Sequence, residues 1–332
     1  MATRFPEGVT QPLPASSPAD WRTLPAARAY YIAVPPRPSR KSLALAGLLF
    51  LLTLCTCLVA GAQFSIAFAH NESLSMDEFG RAFKLLYVNP AALLAGLPFA
   101  ITLMTILLAH ELGHFFACRH HHIRTTYPFF IPAPTLIGTF GAFILLRSPI
   151  RNVRALFDVG ASGPFVGFVF AVPALIYGVL HAKIVPGLAN PNDADVVFGA
   201  PLILDLLAKI FHPGEAVGNL LLHPVGRAAW VGLFATSLNL LPSGQLDGGH
   251  ILRSLSVRAH RFVSMFLPAA LILLGFFQHW GGWYIWAAIL FGLRFMRMAP
   301  VYDTTPLDPD RRFAALLALL IFLLCFMPAP IR

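Results

Sequence analysis

An all-α polytopic membrane protein, a bundle of six to seven transmembrane helices with a small membrane-associated β-hairpin or sheet element, is the fold class predicted by three observations. First, 57% of the 332 residues are hydrophobic and only 12% are charged, against roughly 25% charged in an ordinary soluble domain; mean hydropathy is +0.70. A water-soluble globule is excluded. Second, apolar runs at about 43–67, 93–117, 160–182, 226–242, 262–278, 281–296 and 313–328 are near the length needed to cross a hydrocarbon layer about 30 Å thick. Third, residues 126–148 are apolar but broken by Pro128, Pro132, Pro134, Gly138 and Gly141, which disfavours a continuous helix and favours a strand pair or a re-entrant loop.

In chain order, residues 1–42 hold eight prolines with scattered arginines, a composition that buries no core and predicts a disordered cytoplasmic tail. The first transmembrane helix is expected over 43–67. Residues 93–260 form the expected catalytic membrane core: a second span, the broken element 126–148, a third span, a mixed interfacial segment at 184–225, and a fourth span. Residues 261–332 supply the C-terminal helices, with Gly281-Gly282 marking a tight joint between the fifth and sixth runs. Six spans result if those two short runs behave differently.

Loop charge orients the bundle, because cytoplasmic loops carry the excess of Lys and Arg. With this span map 18 of the 24 Lys and Arg fall on the side of the N-terminal tail, placing the N-terminus in the cytoplasm. The net charge of +9 is explained by these loops, and no basic residues interleaved with exposed aromatics suggest nucleic acid. The four cysteines, without CxxC spacing, read as small hydrophobes.

The chemistry concentrates at the end of the second span, in ILLAHELGHFFACRH. His110 and His114 are four residues apart, so they share a helix face and can offer ring nitrogens to one ion. Glu111 is adjacent, as in HExxH zinc hydrolases, where the glutamate moves the proton of the attacking water. An ionisable residue at mid-bilayer costs about 2.5–3.5 kcal/mol on insertion scales, and a bound cation is a compensating role for the cluster. Catalytic zinc takes three protein ligands. The best third candidate is Asp247 in SLNLLPSGQLDGGHILRSL, where Pro242, Gly244, Gly248 and Gly249 open the fourth span near its cytoplasmic end. Unwound backbone at that depth belongs beside a cavity.

Together, HELGH, GASGPFVGFVFAVPAL and NLLPSGQLDGGH, in this order over about residues 93–260, resemble the site-2 protease family of intramembrane zinc metalloproteases. The resemblance extends to a branch with cyanobacterial, plastid and other bacterial members, and there is no room between the motifs for a PDZ-like insert. It implies one Zn2+ per chain held by His110, His114 and Asp247, a water activated by Glu111, and cleavage of a peptide bond in or near a substrate's transmembrane helix. It also implies that Asn239 contacts substrate or steadies the oxyanion; a helix–helix hydrogen bond is the other reading. The segment from Gly138 to Leu146, including Thr139, Phe140 and Gly141, would be the strand edge that receives unwound substrate, with plain core packing as the alternative. The expected partners are a transmembrane protein substrate and the lipid bilayer, and the expected membrane is a bacterial inner membrane, with the active site near the cytoplasmic leaflet.

Several residues compete with this assignment. His250 could be an alternative ligand or a partner of one. His120, His121 and His122 read as a solvated interfacial face. Asp158 is expected to pair locally with Arg151 or Arg154, and Gly160, Gly163 and Gly167 to let helices approach closely. Rival functions are a metal-ion transporter, which needs polar sites along a path, and a protein of the same fold that binds membrane helices without cutting them.

Overall fold

The computed structural model describes residues 40–74, 88–150, 152–188, 196–295, 301 and 305–331. The expectations for most of the N-terminal tail, and for Arg151, lie outside these residues.

Helix α1 (Arg40–His70) is uninterrupted and apolar. A 3-10 turn at Pro90–Gly96 leads into α2 (Leu97–His120). The hairpin follows: β1 (Phe129–Pro132) pairs antiparallel with β2 (Thr139–Phe143), with Phe129 opposite Phe143 and a bulge between Phe130 and Pro132. The strand pair is therefore the form that segment 126–148 takes. The bulge sits at Pro132, which cannot donate to the ladder.

Helix α3 (Val153–Leu180) starts seven residues before the anticipated third span. The reason is its cap: the Asn152 side chain accepts from Ala155 N–H at 2.6 Å, satisfying a free amide of the first turn. The 184–225 segment contains β3 (Lys183–Ile184) paired with β4 (Leu220–Leu221), and the amphipathic α4 (Leu202–Phe211). Next come α5 (Pro224–Asn239), α6 (Asp247–Leu255), α7 (Val257–Gln278), α8 (Gly282–Leu293) and α9 (Pro309–Cys325). His279, at φ 53°, ends α7 and begins the tight joint to α8.

Among the described residues four helical stretches are long and apolar enough to cross a membrane: Arg40–His70, Pro90–His120, Val153–Leu180 and Val257–Gln278. The other apolar helices are shorter, with 16 residues in α5, 12 in α8 and 17 in α9. Large apolar side chains such as Leu51, Phe262, Phe276 and Leu316 are exposed on the bundle's outside, as a hydrocarbon solvent demands and water would not allow. Cys57, Cys118 and Cys325 are buried thiols, whereas Cys55 lies on that outer surface, so burial holds for three of the four.

The core binds α2, α3 and α5 into a central layer, with Phe99, Leu103, Leu175, Trp230 and Leu233 among its fully buried members. Glycines set the spacing. A Cβ at Gly113 of α2 would lie 2.6 Å from the Ser162 carbonyl oxygen of α3, so these helices touch backbone to backbone, as small residues permit in membranes.

Asp158 departs from the expected local pairing. It receives two bonds from Arg311 of α9, Nε to Oδ1 at 2.7 Å and Nη2 to Oδ2 at 2.6 Å, and lies 2.7 Å from His121 Nε2. Arg154 instead faces Asp308 at 3.8 Å. One turn of α3 thus carries a cation and an anion that each find partners at the start of α9, because a bidentate arginine fork fits a carboxylate better than a neighbour on the same turn does. His121 is consequently half-buried, while His120 and His122 are exposed. Asp308 is held below the ordinary carboxylate value, first by the Arg311 backbone N–H and then by its guanidinium.

Candidate active site

The C-terminal half of α2 presents His110, Glu111 and His114 inward, each at most 7% exposed. The opposing wall is the break between α5 and α6. Helix α5 ends at Asn239, Pro242 stands where a further turn would need its missing N–H, and the chain reverses through Gly244 at φ 58°, a left-handed conformation that glycine adopts without strain. A Cβ on Gly248 would fall 2.0 Å from the Leu240 carbonyl oxygen, so the reversal closes tightly and sets Asp247 on the first turn of α6.

The result is a triangle of donor atoms. His110 Nε2 and His114 Nε2 are 3.1 Å apart, and each lies 3.3 Å from Asp247 Oδ2. Tetrahedral zinc with bonds of 2.0–2.1 Å has ligand–ligand edges of about 3.3 Å, so the three side chains could hold such an ion without rearrangement. The ring of His114 is also oriented. Its Nδ1 lies 2.7 Å from the Val159 carbonyl oxygen, which assigns the proton to Nδ1 and leaves the Nε2 lone pair facing the triangle. His250 is not part of this group; among the described residues only His110, His114 and Asp247 bring three metal-ligating atoms together. A chain of such sites, as ion transit requires, is not seen among them.

Room for the imidazoles comes from α3. A Cβ at Gly163 would lie 2.1 Å from His114 Nε2, and one at Gly167 would lie 3.1 Å from His110 Nδ1. The glycines expected to bring helices together thus also clear space for two histidine rings.

Asn239, at the end of α5, places its amide nitrogen 3.2 Å from His110 Nε2. Glu111 and His110 line a cavity of about 110 Å³ together with Asn239, Phe140, Gly141 and Ala142. The Ile144 backbone amide, just beyond β2, interacts with the Glu111 carboxyl. The five residues singled out for substrate or strand contact fall into two groups. Phe140, 71% exposed, and Gly141 face this cavity. Thr139 is buried and uses its hydroxyl within the hairpin, donating to the Ile131 carbonyl at 2.8 Å and accepting from Gly141 N–H at 2.9 Å. Gly138 turns at φ 80° against Cys57 of α1, and its carbonyl accepts from Thr56 Oγ1 at 2.6 Å. Of that set, the structure gathers Phe140 and Gly141 with Asn239 beside Glu111, and leaves Gly138 and Thr139 in the hairpin's own framework.

Sequence reasoning missed the Val159 carbonyl and the Ile144 amide. Both are backbone groups, so no residue identity could have signalled them. The need of a ligating histidine for an acceptor at its other nitrogen gives the only hint, without naming the acceptor.

Comparison with known proteins bears directly on this geometry. The model of peptidase family M50 matches residues 98–278, more than half of the chain and all of its three motifs. The chain belongs to peptidase family M50, the site-2 protease family. Among curated M50-like relatives it is similar to the probable zinc metalloprotease EGY1, chloroplastic, of Oryza sativa subsp. japonica, 30% identical over 62% of this chain and 36% of that protein. It is also similar to the protein of the same name from Arabidopsis thaliana, 35% identical over 47% of this chain and 29% of the relative. The probable zinc metalloprotease EGY2, chloroplastic, of Arabidopsis thaliana is 30% identical over 71% of this chain and 42% of the relative. The chain therefore spans about two fifths or less of these relatives' length. Zinc is the metal their names specify, and the donor triangle fits the ligand spacing of tetrahedral zinc.

Proposed function

We propose that this chain is an intramembrane zinc metalloendopeptidase that hydrolyses peptide bonds within or near transmembrane segments of membrane-anchored proteins. The observation that carries this reading is the donor triangle of His110, His114 and Asp247, closed between helices far apart in sequence, with Glu111 and the hairpin edge opening on the same small cavity.

His110, His114 and Asp247 would hold the zinc, which supplies Lewis acidity toward the scissile carbonyl when bound. Glu111 takes the proton of the attacking water and returns it to the leaving amine, a role that needs a carboxylate within hydrogen-bond reach of both. Asn239 donates its amide protons to the oxygen that gains charge as the carbonyl becomes tetrahedral. A substrate helix must surrender its internal hydrogen bonds before its backbone is open to attack, and the free edge of β2 at Phe140–Ala142 replaces them by strand addition. Residues 93–260 act as the catalytic membrane core, with 1–42 as a cytoplasmic tail, 43–67 as the first transmembrane segment and 261–332 as further membrane helices.

The bias of Lys and Arg toward one side supports an N-terminus in the cytoplasm and a site near the cytoplasmic leaflet, here assigned to a bacterial inner membrane; the similar proteins are named as chloroplastic. Cleavage of a single-span reporter in proteoliposomes tests the reading. Zinc chelation or Glu111→Gln should abolish it, and continued cleavage by the Glu111→Gln form would refute the assignment.

A further inference from the structure

A second cavity, of about 340 Å³, lies beside the site just described, between the end of the hairpin and α6. Among the described residues its polar wall consists of Arg147, Ser148, Gln245, His250 and Arg253, with no acidic residue in that set. Donors dominate. Ser148 Oγ already accepts from the Arg124 N–H at 2.9 Å, so its own proton is left to donate. His250 Nδ1 is buried without a hydrogen-bond partner among the described residues. Arg253 is held below the ordinary guanidinium value first by burial and then by nearby Arg261.

The cavity has a fixed relation to the catalytic centre. The hairpin ladder continues past β2 through the Thr125–Leu146 bridge and the Arg147 N–H donating to the Arg124 carbonyl at 2.7 Å. Ile144 meets Glu111, and Arg147 is three residues further on, about 10 Å in extended chain. Gln245 and His250 flank Asp247 from the other side.

We propose that this basic cavity receives the carboxylate of an aspartate or glutamate side chain of the substrate, about three residues along the chain from the bond that is cut. The proposal rests on the proteolytic reading above. It makes Arg147 and Arg253 specificity-determining residues, each offering charge-assisted bonds that a neutral side chain cannot match.

The test uses single-span reporters of one sequence in which glutamate or glutamine is walked through five positions on either side of the scissile bond. Cleavage by the zinc-loaded full chain is measured in proteoliposomes. Binding of the same labelled reporters to the Glu111→Gln form in nanodiscs is read by fluorescence anisotropy. Glutamate about three residues from the bond should be preferred over glutamine about tenfold, the scale of one charge-assisted bond. The preference should shrink toward one in Arg147→Ala and Arg253→Ala and turn toward a lysine reporter in Arg147→Glu, an inversion that misfolding would not produce. Cleavage with no positional preference would overturn the pocket and leave the proteolytic reading standing. Glutamate-selective binding without any cleavage would support the pocket and overturn the proteolytic reading; absence of both would overturn both. A charge dependence that follows the phosphatidylglycerol content of the bilayer, and not the reporter, would overturn the proposal in favour of a lipid phosphate.

Discussion

Replacing Gly163 by alanine adds a single methyl group, yet the structure places that methyl 2.1 Å from His114 Nε2. Ordinary carbon–nitrogen contact is about 3.5 Å, so the overlap exceeds 1 Å at the atom that faces the donor triangle. The ring has no easy retreat, because its Nδ1 is tied to the Val159 carbonyl at 2.7 Å. Nor can α2 and α3 simply part: Gly113 already abuts the Ser162 backbone, and separating them opens a void along the central layer. His114 Nε2 must therefore leave a triangle whose edges are 3.1 and 3.3 Å. Disturbing a ligand's support costs 10–100-fold in metal affinity, and displacing the ligand itself should cost on the order of 100-fold or more. Gly167→Ala is the internal control, since its methyl would lie 3.1 Å from His110, a compression that a few tenths of an ångström relieves. Zinc dissociation constants by competition with a chromophoric chelator compare the two. A Gly163→Ala form that binds zinc as tightly as the parent, or more tightly than Gly167→Ala, would refute the reasoning.

Glu111→Gln should retain stoichiometric zinc by mass spectrometry and lose about 10²–10⁴-fold in cleavage rate, whereas Asp247→Ala should lose the zinc itself. Asn239→Ala should bind zinc and lower kcat by about 10²–10³-fold in a reporter assay; an unchanged kcat would return Asn239 to a helix-packing role. Phenanthroline should stop cleavage and added zinc restore it, with persistent activity in the chelated enzyme counting against the metal. Arg311→Ala strips two hydrogen bonds from Asp158 and should destabilise the bundle by about 1–3 kcal/mol, read as a lower midpoint in thermal unfolding; an unshifted midpoint would mean the clasp of α9 adds nothing.

The sequence is legible where spacing and polarity out of place govern the structure. His110 and His114 share a face because four residues make about one turn. The break after Asn239 was visible because Pro242 and Gly244 cannot continue a helix inside lipid. The strand pair was legible from its prolines and glycines, although which of its residues faces the cavity was not: Thr139 and Phe140 are neighbours in sequence, and the pleat sends one hydroxyl into the hairpin and the other ring outward. The Asp158–Arg311 pair is not legible in the sequence because it joins residues 153 positions apart, a separation about which local charge patterning says nothing. The early start of α3 was missed for a different reason: hydropathy marks where a span becomes apolar, and the Asn152 cap marks where the helix begins.

In the proposed enzyme zinc sits among two imidazoles and one carboxylate contributed by α2 and α6. Zinc K-edge X-ray absorption on the purified Glu111→Gln protein tests it most directly. One zinc per chain is expected, surrounded by nitrogen and oxygen at about 2.0–2.1 Å with imidazole scattering, and lost on His114→Ala. Sulfur scattering at about 2.3 Å, which would place the ion on cysteines, or a protein without stoichiometric zinc, would contradict it.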